Sequence, residues 1–114
     1  MSDFYAESRA ILESRANTLS RYTYETYLSH LHKLQLYRPA VECSDVTEAF
    51  VIGYIDFMHS RKNSAGCIYR SLSILRMFVK ELLRRRKIRR NYRFANLFVQ
   101  ISGVSRIVRE DFTD

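Results

Sequence analysis

The segment from Ser64 to Arg85 constrains the fold more than any other part of the sequence. Its apolar residues recur at spacings of four, three, four and three, at Ile68, Leu72, Leu75, Val79 and Leu82. On a helix this spacing forms a single apolar stripe about four turns long, which has to be buried against other elements. Ser64 can cap the first turn, because its side-chain oxygen can accept a hydrogen bond from an exposed amide. The segment therefore predicts a long helix with one face in a core.

The elements that cover this stripe are predicted to be helices as well. The 114 residues contain three glycines and one proline, and the alternation typical of half-buried strands is missing. Helices are predicted over residues 3–16, 20–37 and 45–60, and a short helix or docking segment over residues 97–101. Helices with one apolar face bury those faces on each other. The sequence therefore predicts an all-α fold, a small bundle of four to five helices.

Local signals indicate how these helices begin and pack. Ser20 is predicted to cap the second helix. Asp45 and Glu48 fit a capping box at the start of the third helix. Gly53, inside that helix, costs about 1 kcal/mol relative to Ala, so we interpret it as permitting a close helix crossing. The predicted buried face of the third helix consists of Val51, Tyr54, Ile55 and Met58.

Positive charge is concentrated in one third of the chain. Residues 61–93 carry twelve basic side chains and one acidic one, for a net charge of +11, whereas residues 1–60 carry −3 and residues 94–114 carry −1. A helical projection places one set of side chains together, beside the apolar stripe: Tyr69, Ser73, Arg76, Lys80, Arg84 and Lys87. A strongly cationic segment on a mildly acidic body indicates a polyanionic partner.

The basic face has several interpretations. Basic residues stabilise a helix C-terminus, but two or three would suffice, and like charges four residues apart repel each other. A membrane-surface helix needs an apolar face that is free to insert, whereas this stripe is required in the core. A protein-interaction module with an acidic partner is favoured by Ile74 and Met77, which are predicted to be exposed. Double-stranded DNA is the favoured partner, because rigid helices that present Arg suit a duplex.

The sequence contains no recognisable enzyme or metal site. His30 and His32 lie two residues apart on a helix and so point in different directions, and His59 stands alone. There is no Gly-rich phosphate loop. Cys43 and Cys67 lack the C-x-x-C spacing, which favours two reduced thiols in a cytosolic protein. No apolar run approaches eighteen residues, so no membrane span is predicted. We expect no cofactor, no metal and no membrane partner.

Three successive helices carry residue patterns in a characteristic order. The second helix contains Ser20-x-x-Thr23-x-x-x-Tyr27, and the third begins with Asp45-Val46-Thr47-x-x-Phe50. The fourth helix and the segment after it contain Ser64, Ile68, Arg70, Leu72, Leu75, Arg76, Phe78, Ile88, Asn91 and Phe94. From about residue 3 to residue 94 the chain resembles the N-terminal core-binding domain, a SAM-like domain, of tyrosine recombinases of the phage integrase family. It departs from that pattern at Cys67, where Thr is usual, and after Asn91, where Pro is usual.

The resemblance implies a SAM-like domain that binds double-stranded DNA and clamps a recombination site for a catalytic domain. It implies that residues 1–94 form this domain and that residues 95–114 lead toward a catalytic domain absent from this chain. Phe112-Thr113-Asp114 resembles the opening of that catalytic domain. The family's Arg, His-x-x-Arg and Tyr series is not found here, so no catalytic residue is expected. The parent protein is expected to be a tyrosine recombinase of the bacterial cytoplasm or of a phage-infected host, self-associating on DNA through its full length.

Two sets of residues are predicted to contact DNA. The resemblance nominates Ser20, Arg21, Thr23, Tyr24, Arg61, Lys62, Asn63, Ser64, Arg70 and Arg76. The charge pattern adds Lys80, Arg84 and Lys87 as phosphate contacts. The two sets remain alternatives, because the far end of the fourth helix can point away from the DNA. Base contacts are expected near Asn63 and Arg70, and phosphate contacts elsewhere.

Overall fold

A computed structural model of the protein describes residues 2–88, and these contain four α-helices. They are α1 (Phe4–Ser14), α2 (Arg21–Tyr37), α3 (Glu48–Ser60) and α4 (Ala65–Arg84), with a short 3₁₀ turn at Cys43–Asp45. This part of the chain has no β-strand, and none of its helices is long and apolar enough to cross a membrane. The all-α prediction is confirmed. The predictions for the linker and for residues 97–101 lie outside the described residues.

The helix starts follow the predicted capping residues at two of three positions. The Ser20 hydroxyl oxygen accepts from the Thr23 amide at 3.1 Å, and the Ser64 hydroxyl oxygen accepts from the Cys67 amide at 3.2 Å. The predicted cap at Asp45 is wrong. Asp45 ends the 3₁₀ turn, where its carboxylate accepts from the Glu42 amide, and Thr47 caps α3 instead. Both side chains can cap a helix, and the intervening turn moves the start of α3 two residues along the chain.

The apolar stripe of α4 lies at the centre of the core. All five predicted stripe residues are buried, and so is the predicted face of α3. Helix α2 packs on each of the other three helices, and α1 also packs on α4. Three contacts join α2 to α4: Tyr27–Phe78, His30–Ser71 and Lys33–Cys67. The residue number rises along α2 as it falls along α4. Helices α2 and α4 are therefore antiparallel neighbours.

Ile74 and Met77 are not exposed, contrary to the prediction. Ile74 is 7% exposed, and Met77 is half-buried against the core, where its sulfur accepts from Arg15 at 3.6 Å. The reason is that α2 covers this side of α4, so the buried face of α4 is wider than one stripe. The interpretation of the chain as a protein-interaction module loses the support of these two residues.

Gly53 lies at the close helix crossing that the sequence predicted. A Cβ atom added to Gly53 would lie 2.2 Å from the Tyr37 hydroxyl oxygen and 3.2 Å from its ring carbon Cζ. The Tyr37 ring cannot move away easily, because it packs against Phe50, Tyr54 and Phe57 with centroid distances of 5.4, 5.6 and 5.5 Å. Glycine at this position therefore allows α3 to approach the end of α2.

Gly53→Ala should lower the free energy of unfolding by about 1 kcal/mol. Overpacking costs typically about 1–3 kcal/mol, and the better helix propensity of Ala returns about 1 kcal/mol of it. The measurement is urea unfolding followed by circular dichroism. Tyr37→Phe removes the clashing hydroxyl, so in that background Gly53→Ala should cost less than it does in the wild-type protein. Equal losses in both backgrounds would contradict this account of the crossing.

Candidate nucleic-acid interface

A groove runs between the first half of α2 and the middle of α4. Its volume is about 360 Å³, and it is lined by Tyr22, Thr23, Thr26, Tyr27, Arg70, Ser73, Ile74 and Met77. The antiparallel packing of α2 on α4 creates it, because the start of α2 lies beside the middle of α4. Thr23 and Arg70, both predicted DNA contacts, are brought together here. Ser64 and the loop before it lie about 9 Å further along α4 from Arg70.

The exposed side of α4 presents basic side chains that have no internal carboxylate partner. Arg70, Arg76 and Lys80 are exposed, and none forms a hydrogen bond or ion pair with another residue in the range 2–88. Arg76 and Lys80 share a ridge with Ser73 and Tyr69, whereas Arg70 lies about 90° away from this ridge around the helix, next to α2. These cations are available to an external anion.

The loop between α3 and α4 adds two more exposed cations. The Arg61 guanidinium lies 5.5 Å from the centroid of the Phe57 ring, and Lys62 has a φ of 60°, the left-handed conformation that turns the chain out of α3. Asn63 is engaged within the protein: its amide nitrogen donates to the Met58 carbonyl at 3.2 Å and its amide oxygen accepts from Lys33 at 3.3 Å. Its side chain therefore holds the loop in place.

The predicted residues at the start of α2 differ in what they present. Ser20 is committed to its cap and also donates to the Thr23 hydroxyl at 2.9 Å. Arg21 is exposed and forms an ion pair with Glu25 at 3.0 Å. Tyr24 is half-buried against the core. Of these four residues, Thr23 is the one that lines the groove.

The basic run at the end of α4 is partly neutralised by the protein itself. Glu81 is buried and accepts hydrogen bonds from Arg84 and from Arg85, and Arg15 lies 3.1 Å from the same carboxylate. The hydrogen bonds from Arg84, and then Arg85, lower the pKa of Glu81 to about 2, although burial opposes this shift. Lys87 lies 3.8 Å from Glu7. The repulsion within the described part of the run is thus partly offset internally, and the DNA contacts predicted for Arg84 and Lys87 stay predictions.

His30 belongs to a polar chain that links α2, α4 and α3. Burial, together with the charges of Lys33 and Arg70, lowers the pKa of His30 to about 4. Its ring nitrogen Nδ1 lies 3.0 Å from the Ser71 hydroxyl oxygen, which lies 2.8 Å from that of Tyr54. His30 is therefore a neutral member of a buried polar chain.

Lys33 and Arg15 are functional candidates that the sequence did not reveal. Lys33 lies 3.1 Å from the Cys67 sulfur, close to the α3–α4 loop, and Arg15 joins the end of α1 to Glu81 and Met77. Each lies outside the basic segment at residues 61–93 and belongs to no run of basic residues. Only the packing of α1 and α2 on α4 places them beside the basic segment.

Comparison with known proteins gives one match. Residues 3–96 match the sequence model of the phage integrase SAM-like domain. No curated protein and no solved structure matches the chain. The matched range corresponds closely to residues 3–94, over which the helix motifs resemble that family.

Proposed function

Since the chain belongs to the phage integrase SAM-like domain family, we propose that it binds double-stranded DNA as the core-binding domain of a site-specific tyrosine recombinase. In this role it clamps a recombination site for the catalytic domain of the recombinase, which carries out strand cleavage and rejoining. The protein acts in the cytoplasm, and the full-length recombinase assembles on paired sites. Its partner is DNA.

The observation that carries this proposal is the set of basic side chains without internal partners on α4. Arg70, Arg76 and Lys80 have no carboxylate partner within residues 2–88, so a phosphate displaces only water and small ions from them. Release of such ions drives protein–DNA association. Arg84, in contrast, has to give up its hydrogen bonds to Glu81 before it can bind a phosphate fully. The interface therefore centres on the part of α4 between Arg70 and Lys80.

The proposed contacts divide into two kinds. Arg76 and Lys80 lie on the outer ridge of α4 and Arg61 and Lys62 lie in the loop before it, positions suited to phosphates. Arg70 lies at the groove, and its guanidinium has the planar geometry that pairs with the O6 and N7 atoms of guanine. We assign base recognition to Arg70 rather than to Asn63, whose amide is engaged within the protein.

Arg76→Gln should weaken binding to every duplex by about tenfold at roughly 100 mM salt, because one phosphate contact is lost. Arg70→Gln should weaken binding to a similar extent and also relax the preference among sequences. Both effects are measured by fluorescence anisotropy and by selection from a pool of randomised duplexes.

Arg9→Gln is the matched control, because Arg9 is exposed on α1 and bonds Gln35 on the side of α2 away from the groove. It removes the same charge and should change the affinity little. If Arg70→Gln leaves the selected sequences unchanged, Arg70 does not read bases. If Arg9→Gln costs as much as Arg76→Gln, net charge rather than a surface on α4 determines binding.

A further inference from the structure

The groove between α2 and α4 has the composition of a site for a small planar group. Its floor is apolar, formed by Ile74, Met77 and the ring of Tyr27. Tyr22 stands at its edge with 75% of its surface exposed, and Arg70 lies on the α4 side. An exposed aromatic ring beside an apolar floor and a guanidinium offers stacking, burial and charge in one place.

The size of the groove excludes a duplex as its content. About 360 Å³ is near the lower end of the range of roughly 300–1,000 Å³ for small-molecule sites. The axes of packed helices lie about 8–10 Å apart, so the space between α2 and α4 is narrow. A duplex is much wider than this space, since its major groove alone is about 12 Å wide and holds a whole helix. A duplex can lie across the ridge of α4, but only a single projecting group can enter the space beside it.

Several polar groups of the groove have no partner within the described chain. The Arg70 guanidinium and the Ser73 and Tyr27 hydroxyls form no hydrogen bond in residues 2–88. The Tyr27 ring is held edge-on by Phe78, with centroids 6.3 Å apart. The backbone of Tyr22 is held by the Thr26 hydroxyl, which donates to its carbonyl at 2.8 Å. A fixed Tyr27 ring, an exposed Tyr22 ring and free polar groups around them suit a ligand with a flat face and polar edges.

We propose that this groove takes an unpaired nucleobase of bound DNA, with Tyr22 stacking on the base and Arg70 donating hydrogen bonds to the polar edge of the base. The inference rests on the proposed function, because Arg70 belongs to both the groove and the duplex interface. Stacking of bases on aromatic side chains tolerates every sequence, since each base has a π-face. The polar groups of the groove favour this ligand over an apolar side chain of a partner protein.

The test compares three end-labelled duplexes by fluorescence anisotropy. One is fully paired, one contains a single unpaired thymidine, and one contains an abasic nucleotide in place of that thymidine. The abasic duplex keeps the additional phosphate and the bend but lacks the ring. The protein should bind the thymidine bulge about tenfold more tightly than the abasic bulge, which is the effect expected for one stacked base.

Tyr22→Ala should abolish this difference and leave binding to the paired duplex unchanged, whereas Tyr22→Phe should retain it. Leu36→Ala, a change at another exposed residue of α2, is the control and should have no effect. Equal affinities of the wild-type protein for the two bulges would overturn the inference, as would a difference that survives Tyr22→Ala. Failure to bind the paired duplex would instead overturn the proposed function.

Discussion

Raising the salt concentration from roughly 50 to 200 mM should weaken binding of the protein to a DNA duplex by about a thousandfold, assuming about six neutralised phosphates. The physical reason is that each phosphate contact releases a condensed counterion, and added salt opposes that release. Most of these phosphate contacts are expected from Arg61, Lys62, Arg76 and Lys80. The measurement is anisotropy across a salt series, plotted as the logarithm of affinity against the logarithm of salt concentration.

The double variant Arg76→Gln/Lys80→Gln shows whether those contacts lie on α4. It should reduce the slope of the salt plot by about two and the affinity by about fiftyfold near 100 mM salt. Arg9→Glu is its control, because it gives the same net charge through one exposed residue on α1. An affinity indifferent to salt would refute DNA binding through phosphates. If the control lowers the slope of the salt plot as much as the double variant does, the phosphate contacts do not lie on α4.

The sequence predicted the helices and the central stripe well, because these depend on local spacing. The positions Ile68, Leu72 and Leu75 determine the inner face of α4 whatever packs against it, and Ser64 begins the helix through a bond within one turn. Asp45 shows the limit of this reasoning. It and Thr47 are both competent caps, and the 3₁₀ turn that selects between them depends on the path of the loop before α3.

The candidate interface was less accessible to sequence analysis, because it depends on contacts between distant residues. The run at residues 84–90 carries the densest charge, yet Arg84 and Arg85 bond to Glu81, whose burial depends on α1 and Arg15. The burial of Ile74 depends on the position of α2. Charge density along the chain therefore pointed to α4, and the unpartnered cations of α4 lie nearer its start than the densest part of the run.

Glu81→Gln should lower the free energy of unfolding at about pH 7 by about 2–3 kcal/mol, below the roughly 3–5 kcal/mol typical of a fully buried pair. Glu81 is 8% exposed, so its charge is sheltered from water. The Arg84 guanidinium reaches solvent, so water can replace part of the stabilisation that it loses when the Glu81 charge is removed. Gln keeps the shape of the side chain but removes the charge that holds Arg15 at the end of α1. Glu13→Gln, at an exposed carboxylate of α1, is the control and should have little effect.

The pH dependence separates the ionic role of Glu81 from simple packing. Hydrogen bonds from Arg84 and Arg85 lower the pKa of Glu81 from its ordinary value of 4.5 to about 2. Because the folded protein binds this proton less tightly than the unfolded chain, the stabilisation is complete above the ordinary pKa and disappears as the pH falls toward about 2. The difference between wild type and Glu81→Gln in urea unfolding should therefore shrink across that range. A difference that stays constant with pH would show that the guanidinium groups do not depend on the charge of Glu81, and the basic run would then need another source of neutralisation.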